Sequence, residues 1–172
     1  MFSTLTVHRR PAQRSRGVLL AGPLAIPVAL GRSGIKANKR EGDGATPRGI
    51  FRLKRLWWRA DRHPRPRTQL PVRRIRSDDG WCEDQLDRHY NRPVVVPKDS
   101  KADRLMRQDR LYDFIIEIDH NTRPRIAGRG SAVFVHIARS GFEPTAGCIS
   151  LTLPALRQML ARVGPRTRIA IF

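Results

Sequence analysis

Short apolar stretches alternate along this chain with polar segments rich in glycine, proline and aspartate. The apolar stretches carry many β-branched and aromatic residues, a pattern typical of β-strands. The residues between them supply the backbone dihedral angles that tight reversals need. We predict strands over residues 5–9, 50–58, 70–75, 111–119, 131–138 and 168–172, with a turn at 14–17.

This pattern favours a mainly β fold, either a sandwich or a partly closed barrel. Two segments interrupt it with apolar residues at helical spacing. Residues 100–110 begin with Ser100, which can cap a helix, and residues 154–163 place their apolar side chains on one side before Gly164. The sequence therefore predicts two short helices within the β fold.

The first thirty residues allow two interpretations. Residues 18–30 are apolar and follow several arginines, as in a signal peptide. They contain two prolines and are shorter than the roughly 20 residues that a membrane-spanning helix needs. Because proline suits the edge of a sheet, we favour a hairpin over residues 1–30 that turns at Gly22 and Pro23. We therefore disfavour an export signal and expect no transmembrane segment.

The length and charge of the chain restrict its function. A length of 172 residues suits a single domain spanning 1–172, and the formal net charge of +19 comes overwhelmingly from arginine. Such an excess predicts an anionic partner: nucleic acid, a membrane surface, or an acidic polymer such as the carboxylate-bearing cell wall. No known nucleic-acid-binding motif appears, so we expect no specific nucleic acid. A basic nucleic-acid-binding module remains an alternative.

The chain has two cysteines, Cys82 and Cys148. Neither shows the short spacing to a second Cys or His that zinc sites have, and we expect no metal and no cofactor. We interpret both as free thiols, because a disulfide between them would silence the candidate nucleophile. Cys82 has no histidine or glycine-rich turn close by, so we predict a packed thiol there.

Residues 133–151 form the candidate active site. A predicted strand delivers His136 at its far end, and Cys148 follows Gly147 after a loop. A glycine before the sulfur lets backbone amides approach each other closely, as an oxyanion hole requires. A thiol near its reference pKa of about 8.5 needs a nearby base or positive charge to act as a nucleophile. His136 is the nearest base, and Arg139 adds positive charge.

A structural interpretation competes with this one. A lone cysteine is usually a small buried hydrophobe. A lone histidine after a strand usually has a structural role, with its hydrogen bonds satisfied within the fold. Proximity along the sequence does not establish contact between the two side chains.

Residues 133–151 resemble the signature of the YkuD-type L,D-transpeptidases, in which a histidine at a strand end is followed by a loop and then Ser/Thr-His-Gly-Cys. A second block, residues 39–53 (KREGDGATPRGIFRL), resembles the Gly-Asp and Thr-Pro-x-Gly-x-Phe element found upstream in the same family. The two blocks stand in the family's order. The likeness covers most of the chain from residue 30 onward.

Two departures distinguish the chain from this family pattern. Ala146 stands where the family usually has a histidine two places before the cysteine, which leaves His136 as the only histidine of the motif. The loop is also short, with eight residues between His136 and Thr145. A subgroup with this compact Pro-Thr-x-Gly-Cys form is associated with crosslinks from L-Ala at stem position 1 to diaminopimelate at position 3, instead of the commoner 3-3 links.

The resemblance implies a YkuD-like β fold and a peptidoglycan L,D-transpeptidase that works by ping-pong acyl transfer. Cys148 would attack the carbonyl of an L-centre in a stem peptide, and His136, oriented by a backbone carbonyl, would move the proton. The amides of Gly147, Cys148 and Ala146 would hold the oxyanion.

By the same resemblance, Thr145 lines the site, and the block over residues 39–53 supports the cleft without a catalytic role. Apart from the resemblance, Arg139 is a candidate to bind a substrate carboxylate; the alternative, for one arginine among many, is a solvated side chain. The partners would be peptidoglycan stem peptides, the location the periplasm or cell envelope, and we expect a monomer. Hydrolysis of the same stem peptides by an L,D-carboxypeptidase or endopeptidase stays open, because water need only replace the acceptor amine.

Overall fold

β-Strands dominate the computed structural model, which describes residues 1–97 and 103–172. Its strands are β1 (Thr4–Arg10), β2 (Gln13–Ala21), β3 (Leu24–Ala29), β4 (Ile35–Lys36), β5 (Thr46–Pro47), β6 (Gly49–Trp58), β7 (Val72–Arg74), β8 (Asp79–Trp81), β9 (Pro93–Val95), β10 (Phe114–Ile118), β11 (Phe134–Ile137), β12 (Ile149–Leu151) and β13 (Arg168–Ile171). Helix α1 (Leu153–Leu160) and a 3₁₀ turn (Ser140–Phe142) complete the regular structure of these residues. The predicted mainly β fold is confirmed.

Eight of the strands form a barrel. Around it the order is β10, β11, β12, β3, β2, β1, β13 and β6, and β6 pairs back with β10, while β7 extends the sheet from β6. The pairings β1–β13, β11–β12 and β6–β7 are parallel. Strands β3 and β12 meet through a single residue pair, Ala29 with Ser150, so the barrel is only partly closed at this seam.

Apolar side chains fill the barrel and also cover part of its outside. Successive residues of a strand point to opposite faces. The inner core includes the fully buried Leu5, Leu19, Leu56, Ile116 and Val135. The outer cluster contains Trp57, Ile115, Phe134 and Cys148. Trp81 and Leu105, from the long segment between β7 and β10, pack over this outer cluster, so β10 and β11 are buried on both faces.

The N-terminal hairpin is only partly as expected. The β2–β3 turn lies at Gly22 and Pro23, which confirms that prediction. The turn predicted at residues 14–17 is wrong, because these residues lie within β2 and the preceding reversal is at Pro11 and Ala12. Ala12 adopts the left-handed conformation there, with φ of 59°.

The helix predicted over residues 154–163 is confirmed by α1. Thr152 precedes it, and the Thr152 hydroxyl accepts a hydrogen bond from Ala155 N at 3.5 Å. Leu156, Met159 and Leu160 are its buried side chains. In the described part of the chain, no helix is long and apolar enough to cross a membrane.

The helix predicted over residues 100–110 is wrong from residue 103 onward, where the chain forms bends; residues 100–102 lie outside the described residues. The backbone groups that a helix would use are paired with β8 instead. Trp81 N donates to Asp103 O at 3.3 Å, and Leu105 N donates to Asp79 O at 2.9 Å. The local helical pattern therefore yields to pairing with a distant strand.

Candidate active site

The candidate site lies on the outside of the barrel, beside the seam between β3 and β12. Paired residues of neighbouring strands project to the same face of a sheet. The register aligns such a row across four strands, consisting of Ile115, His136, Ser150 and Ala29. Because Ile115 belongs to the outer apolar cluster, His136 and Ser150 also point outward.

Cys148 and His136 line one cavity of about 180 Å³. Both are largely buried, with 8% and 7% of their surface exposed. The Cys148 thiol donates a hydrogen bond to Ala132 O at 3.2 Å, and Phe134 N donates to the sulfur at 3.4 Å. The fold thus brings together the two residues that the motif singled out, and it holds the sulfur against the start of β11.

The hydrogen bond of the His136 ring defines its tautomer. Nδ1 lies 2.8 Å from the carbonyl oxygen of Ile137, and since a carbonyl can only accept, Nδ1 carries the proton. Nε2 is then the basic nitrogen. The ring of Tyr112 stands edge-on to the imidazole with 5.4 Å between the centroids. A backbone carbonyl on one side and an aromatic ring on the other therefore orient the base.

Burial sets the charge state of both groups. Loss of water around the thiol raises the pKa of Cys148 to about 12, against smaller opposing effects from the Phe134 amide and the Lys39 ammonium. Burial likewise lowers the pKa of His136 to about 4, although its hydrogen bond to Ile137 favours the protonated ring. At neutral pH the resting site therefore holds a neutral thiol and a neutral imidazole.

Hydrogen bonds also stiffen the turn that carries the sulfur, residues 145–148, which we call the cysteine turn. Thr145 Oγ1 donates to Cys148 O at 2.6 Å and accepts from Gly147 N at 3.1 Å. Thr145 N donates to Leu30 O, and Arg32 N donates to Thr145 O, which attaches the turn to the segment after β3. Of the three amides expected to bind an oxyanion, that of Gly147 is already bonded to a side chain.

The second sequence block lies directly against the cysteine turn. Asp43 accepts hydrogen bonds from Lys39 Nζ at 2.7 Å and from the amides of Arg40 and Ala45, both at 2.9 Å. These bonds hold the loop compact. The carbonyl oxygen of Ala45 lies 2.8 Å from the position that a Cβ on Gly147 would occupy. The block therefore packs against the backbone of the turn and restricts what residue 147 can be.

Gly147→Ala is expected to destabilise the cysteine turn and to lower activity. Gly147 has φ of 145°, which residues with a side chain rarely adopt, and the added Cβ would clash with Ala45 O. We expect a loss of about 2–4 kcal/mol in the free energy of unfolding, measured by urea denaturation.

Gly141→Ala is the matched control for that variant. Gly141 also has positive φ, 73°, but nothing lies within 4 Å of the position of its Cβ. Only the conformational cost of about 1 kcal/mol remains. Equal losses of stability in the two variants would contradict the role assigned to the contact between Gly147 and Ala45.

Cys82, the rival thiol, lines a different cavity of about 750 Å³ together with Glu83 and His89. Both cysteines are free, as predicted. The prediction that Cys82 is a packed thiol is wrong, because the residue is partly exposed.

Within residues 1–97 and 103–172, no group of three or more His, Cys, Asp or Glu is placed to hold a metal ion.

Other polar groups share the cavity of Cys148 and His136. Arg139 lines it from the residue before the 3₁₀ turn, with its side chain half exposed. Arg107 and Tyr112 also line the cavity, and sequence reasoning missed both. The helix predicted over residues 100–110 concealed Arg107, and the strand predicted over residues 111–119 gave Tyr112 no role in the site. The Arg-x-Asp spacing of residues 107 and 109 was the signal in the sequence that could have indicated an arginine held by a neighbouring carboxylate. Ser150 Oγ lines the cavity as well, and it is buried without a hydrogen-bond partner among the described residues.

The β barrel and the cavity on its outer face define a domain that carries the groups needed for acyl transfer through a thiol. The family model of YkuD, described as the L,D-transpeptidase catalytic domain, matches residues 13–171. The chain belongs to this family. It therefore carries the catalytic domain of an L,D-transpeptidase, a transferase of cell-wall peptidoglycan. No curated protein matches the chain.

Proposed function

We propose that this chain crosslinks peptidoglycan by ping-pong acyl transfer, with Cys148 as the nucleophile and His136 as the general base and acid. The observation that supports this most directly is that both side chains line one cavity in a member of the YkuD family. The tautomer of His136 adds to it, since Nε2 carries the lone pair that a base needs.

Acylation begins when the thiol turns from Ala132 O toward the imidazole. His136 Nε2 takes the thiol proton as the sulfur attacks the carbonyl carbon of an L-centre in a stem peptide. The C–N bond of the tetrahedral intermediate then breaks, and Nε2–H gives its proton to the departing amine. The product of this half-reaction is a thioester on Cys148.

The cysteine turn would stabilise the negative charge that develops on the attacked carbonyl oxygen. The donors are the amides of Ala146, Gly147 and Cys148, which follow one another along the backbone. Gly147 N would exchange its bond to Thr145 Oγ1 for one to the oxyanion. The bond from Thr145 Oγ1 to Cys148 O keeps the turn in place during this exchange.

The second half-reaction forms the crosslink. The side-chain amine of diaminopimelate in a neighbouring stem attacks the thioester, Nε2 removes a proton from that amine, and the sulfur leaves and regains a proton. The compact loop of eight residues between His136 and Thr145 supports L-Ala at position 1 as the donor, giving 1-3 crosslinks. In this proposal residues 1–172 are one catalytic domain that works as a monomer in the periplasm or cell envelope, where its substrate lies.

Intact-protein mass tests this function directly. After mixing with defined disaccharide-peptides, the wild-type protein is expected to gain the mass of an acyl fragment, and the size of the gain identifies position 1 or position 3 as the donor. Purified sacculi treated with the protein and then digested should yield new crosslinked dimers, whereas a hydrolase would yield trimmed monomers. If the protein formed neither an acyl adduct nor a new muropeptide, the proposed function would be rejected.

A further inference from the structure

Arg107 presents a fixed guanidinium to the cavity that holds Cys148 and His136. Its Nε and Nη2 donate to the two carboxylate oxygens of Asp109 at 2.9 and 2.7 Å, a two-pronged pairing that fixes the orientation of the group. The guanidinium carbon lies 5.0 Å from the centre of the Tyr112 ring, whose edge meets the imidazole. About a third of the Arg107 side chain is exposed, so a ligand can reach it.

The backbone beneath Arg107 is held as firmly as its side chain. Arg59 and Arg62 donate to the carbonyls of residues 107, 108 and 109 at 2.8 to 3.1 Å. The same segment joins the strand of the base, because Ile137 N donates to Leu111 O at 3.1 Å. The position of Arg107 relative to His136 is therefore set by this framework.

Hydrogen-bond donors remain free on this side of the cavity. A guanidinium has five N–H groups, and Asp109 uses two of those of Arg107. No hydrogen-bond partner of Arg107 Nη1 is found in the part of the chain that the structure describes. Arg139 lines the same cavity, and among the described residues its side chain makes only a loose ion pair, with 3.8 Å between its Nε and Glu143 Oε2. Two guanidinium groups thus offer donors to one small cavity.

Three acidic groups, Asp103, Asp109 and Glu143, lie near these arginines and reduce the local positive charge. The hydrogen bond from Arg107 lowers the pKa of Asp109, so that carboxylate stays ionised. It occupies the Nε and Nη2 edge of Arg107 and leaves Nη1 open. Glu143 is 65% exposed, and solvent screens its weak attraction to Arg139. A carboxylate entering the cavity can displace Glu143 without disturbing the pair of Arg107 and Asp109.

We propose that Arg107, together with Arg139, binds a free carboxylate of the stem peptide and thereby selects the carbonyl that is presented to Cys148. The inference rests on the proposed function, because it takes the stem peptide as the ligand of this cavity. Guanidinium groups match the planar geometry of carboxylates and keep their charge at every physiological pH. A carboxylate held by Arg107 fixes the peptide at a set distance from the sulfur, and this distance determines which residue can act as the donor.

The test compares a defined disaccharide-peptide with derivatives in which one free carboxylate at a time is replaced by a carboxamide. For the wild-type protein, one such derivative is expected to lower kcat/KM for acylation about 10- to 100-fold, mainly through KM. Arg107→Gln should show the same loss on the carboxylate peptide and should treat the two peptides alike. Arg107→Lys keeps the charge without the planar fork, so part of the discrimination should return.

Arg168→Gln is the matched control. Arg168 is exposed on β13, far around the barrel from β11, and the substitution removes the same single positive charge. We expect wild-type discrimination from this variant. If it lost discrimination as Arg107→Gln does, general charge attraction would explain the effect and the carboxylate site would be overturned.

Binding to the Cys148→Ala variant separates this inference from the proposed function. Calorimetry gives Kd for the carboxylate peptide and its carboxamide, with and without the additional Arg107→Gln substitution. Selective binding without any thioester in the wild type would overturn the proposed function and support the carboxylate site. Equal Kd values for the peptide and every carboxamide, or an Arg107→Gln variant that weakens both equally, would overturn the site and leave Arg107 a structural residue.

Discussion

Replacing Cys148 by alanine is expected to abolish thioester formation and crosslinking, with a loss of rate of about 10⁴-fold or more. The sulfur forms the covalent intermediate of the proposed mechanism, and neither peptide binding nor the amides of the cysteine turn can substitute for it. Adduct mass on defined disaccharide-peptides and the yield of crosslinked fragments from sacculi both measure this loss.

Two further variants show whether the loss of activity comes from the missing nucleophile and not from a damaged fold. Cys148→Ser keeps a group that can donate to Ala132 O and accept from Phe134 N, so its Tm should lie near that of the wild type while its activity is lost. Cys82→Ala should retain activity, because Cys82 lines a separate cavity. An inactive Cys82→Ala protein beside an active Cys148→Ser protein would reverse the assignment of the nucleophile.

The strands that carry the site could be predicted from the sequence for a physical reason. β10 and β11 are buried on both faces, one by the barrel core and the other by the outer apolar cluster, and such strands appear as nearly continuous apolar runs. The motif spacing also located His136 and Cys148. Their position on the outer face follows from the pairing of His136 with Ser150, which depends on register and not on composition.

The opposite wall of the cavity could not be predicted in the same way. The segment over residues 100–110 has a helical cap and helical spacing, yet its carbonyls are bonded to Arg59 and Arg62, and Arg59 lies 48 positions away from Arg107. A local pattern carries no information about partners at that distance. Sequence reasoning therefore identified Arg139 as the candidate that binds a carboxylate and missed Arg107, whose guanidinium is the more firmly held of the two.

The charge state of the site also depends on the fold. The sequence analysis predicted that a positive charge or a base lies near the thiol. Both are present, because Lys39 lowers the pKa of Cys148 and His136 lines the same cavity. Burial outweighs the charge and leaves both reacting groups neutral at rest. In the proposed mechanism, the proton is therefore transferred during the attack and not before it.

His136→Gln is expected to slow acylation about 10²- to 10⁴-fold and to remove the acid limb of its pH profile. Because burial lowers the pKa of His136 to about 4, the neutral base is present above that pH and is lost as the pH falls through it. The wild-type acylation rate should then fall about tenfold per pH unit below pH 4. Growth of the acyl adduct at saturating peptide is the right measurement. It excludes the titration of the acceptor amine, and it limits the effect of protonating the peptide carboxylates, which acts mainly through KM.

Two checks accompany that profile. An unfolded histidine has a pKa of about 6.5, so the stability contributed by neutral His136 declines as the pH falls from there to about 4, and tryptophan fluorescence must confirm that the protein is still folded. Alkylation by iodoacetamide in a Cys82→Ala background then reports the thiol alone. With the pKa of Cys148 raised to about 12, the alkylation rate should keep rising about tenfold per pH unit through pH 9. A plateau at or below neutral pH would reveal a thiolate and imidazolium pair at rest, and His136 would then act in acylation only as the acid.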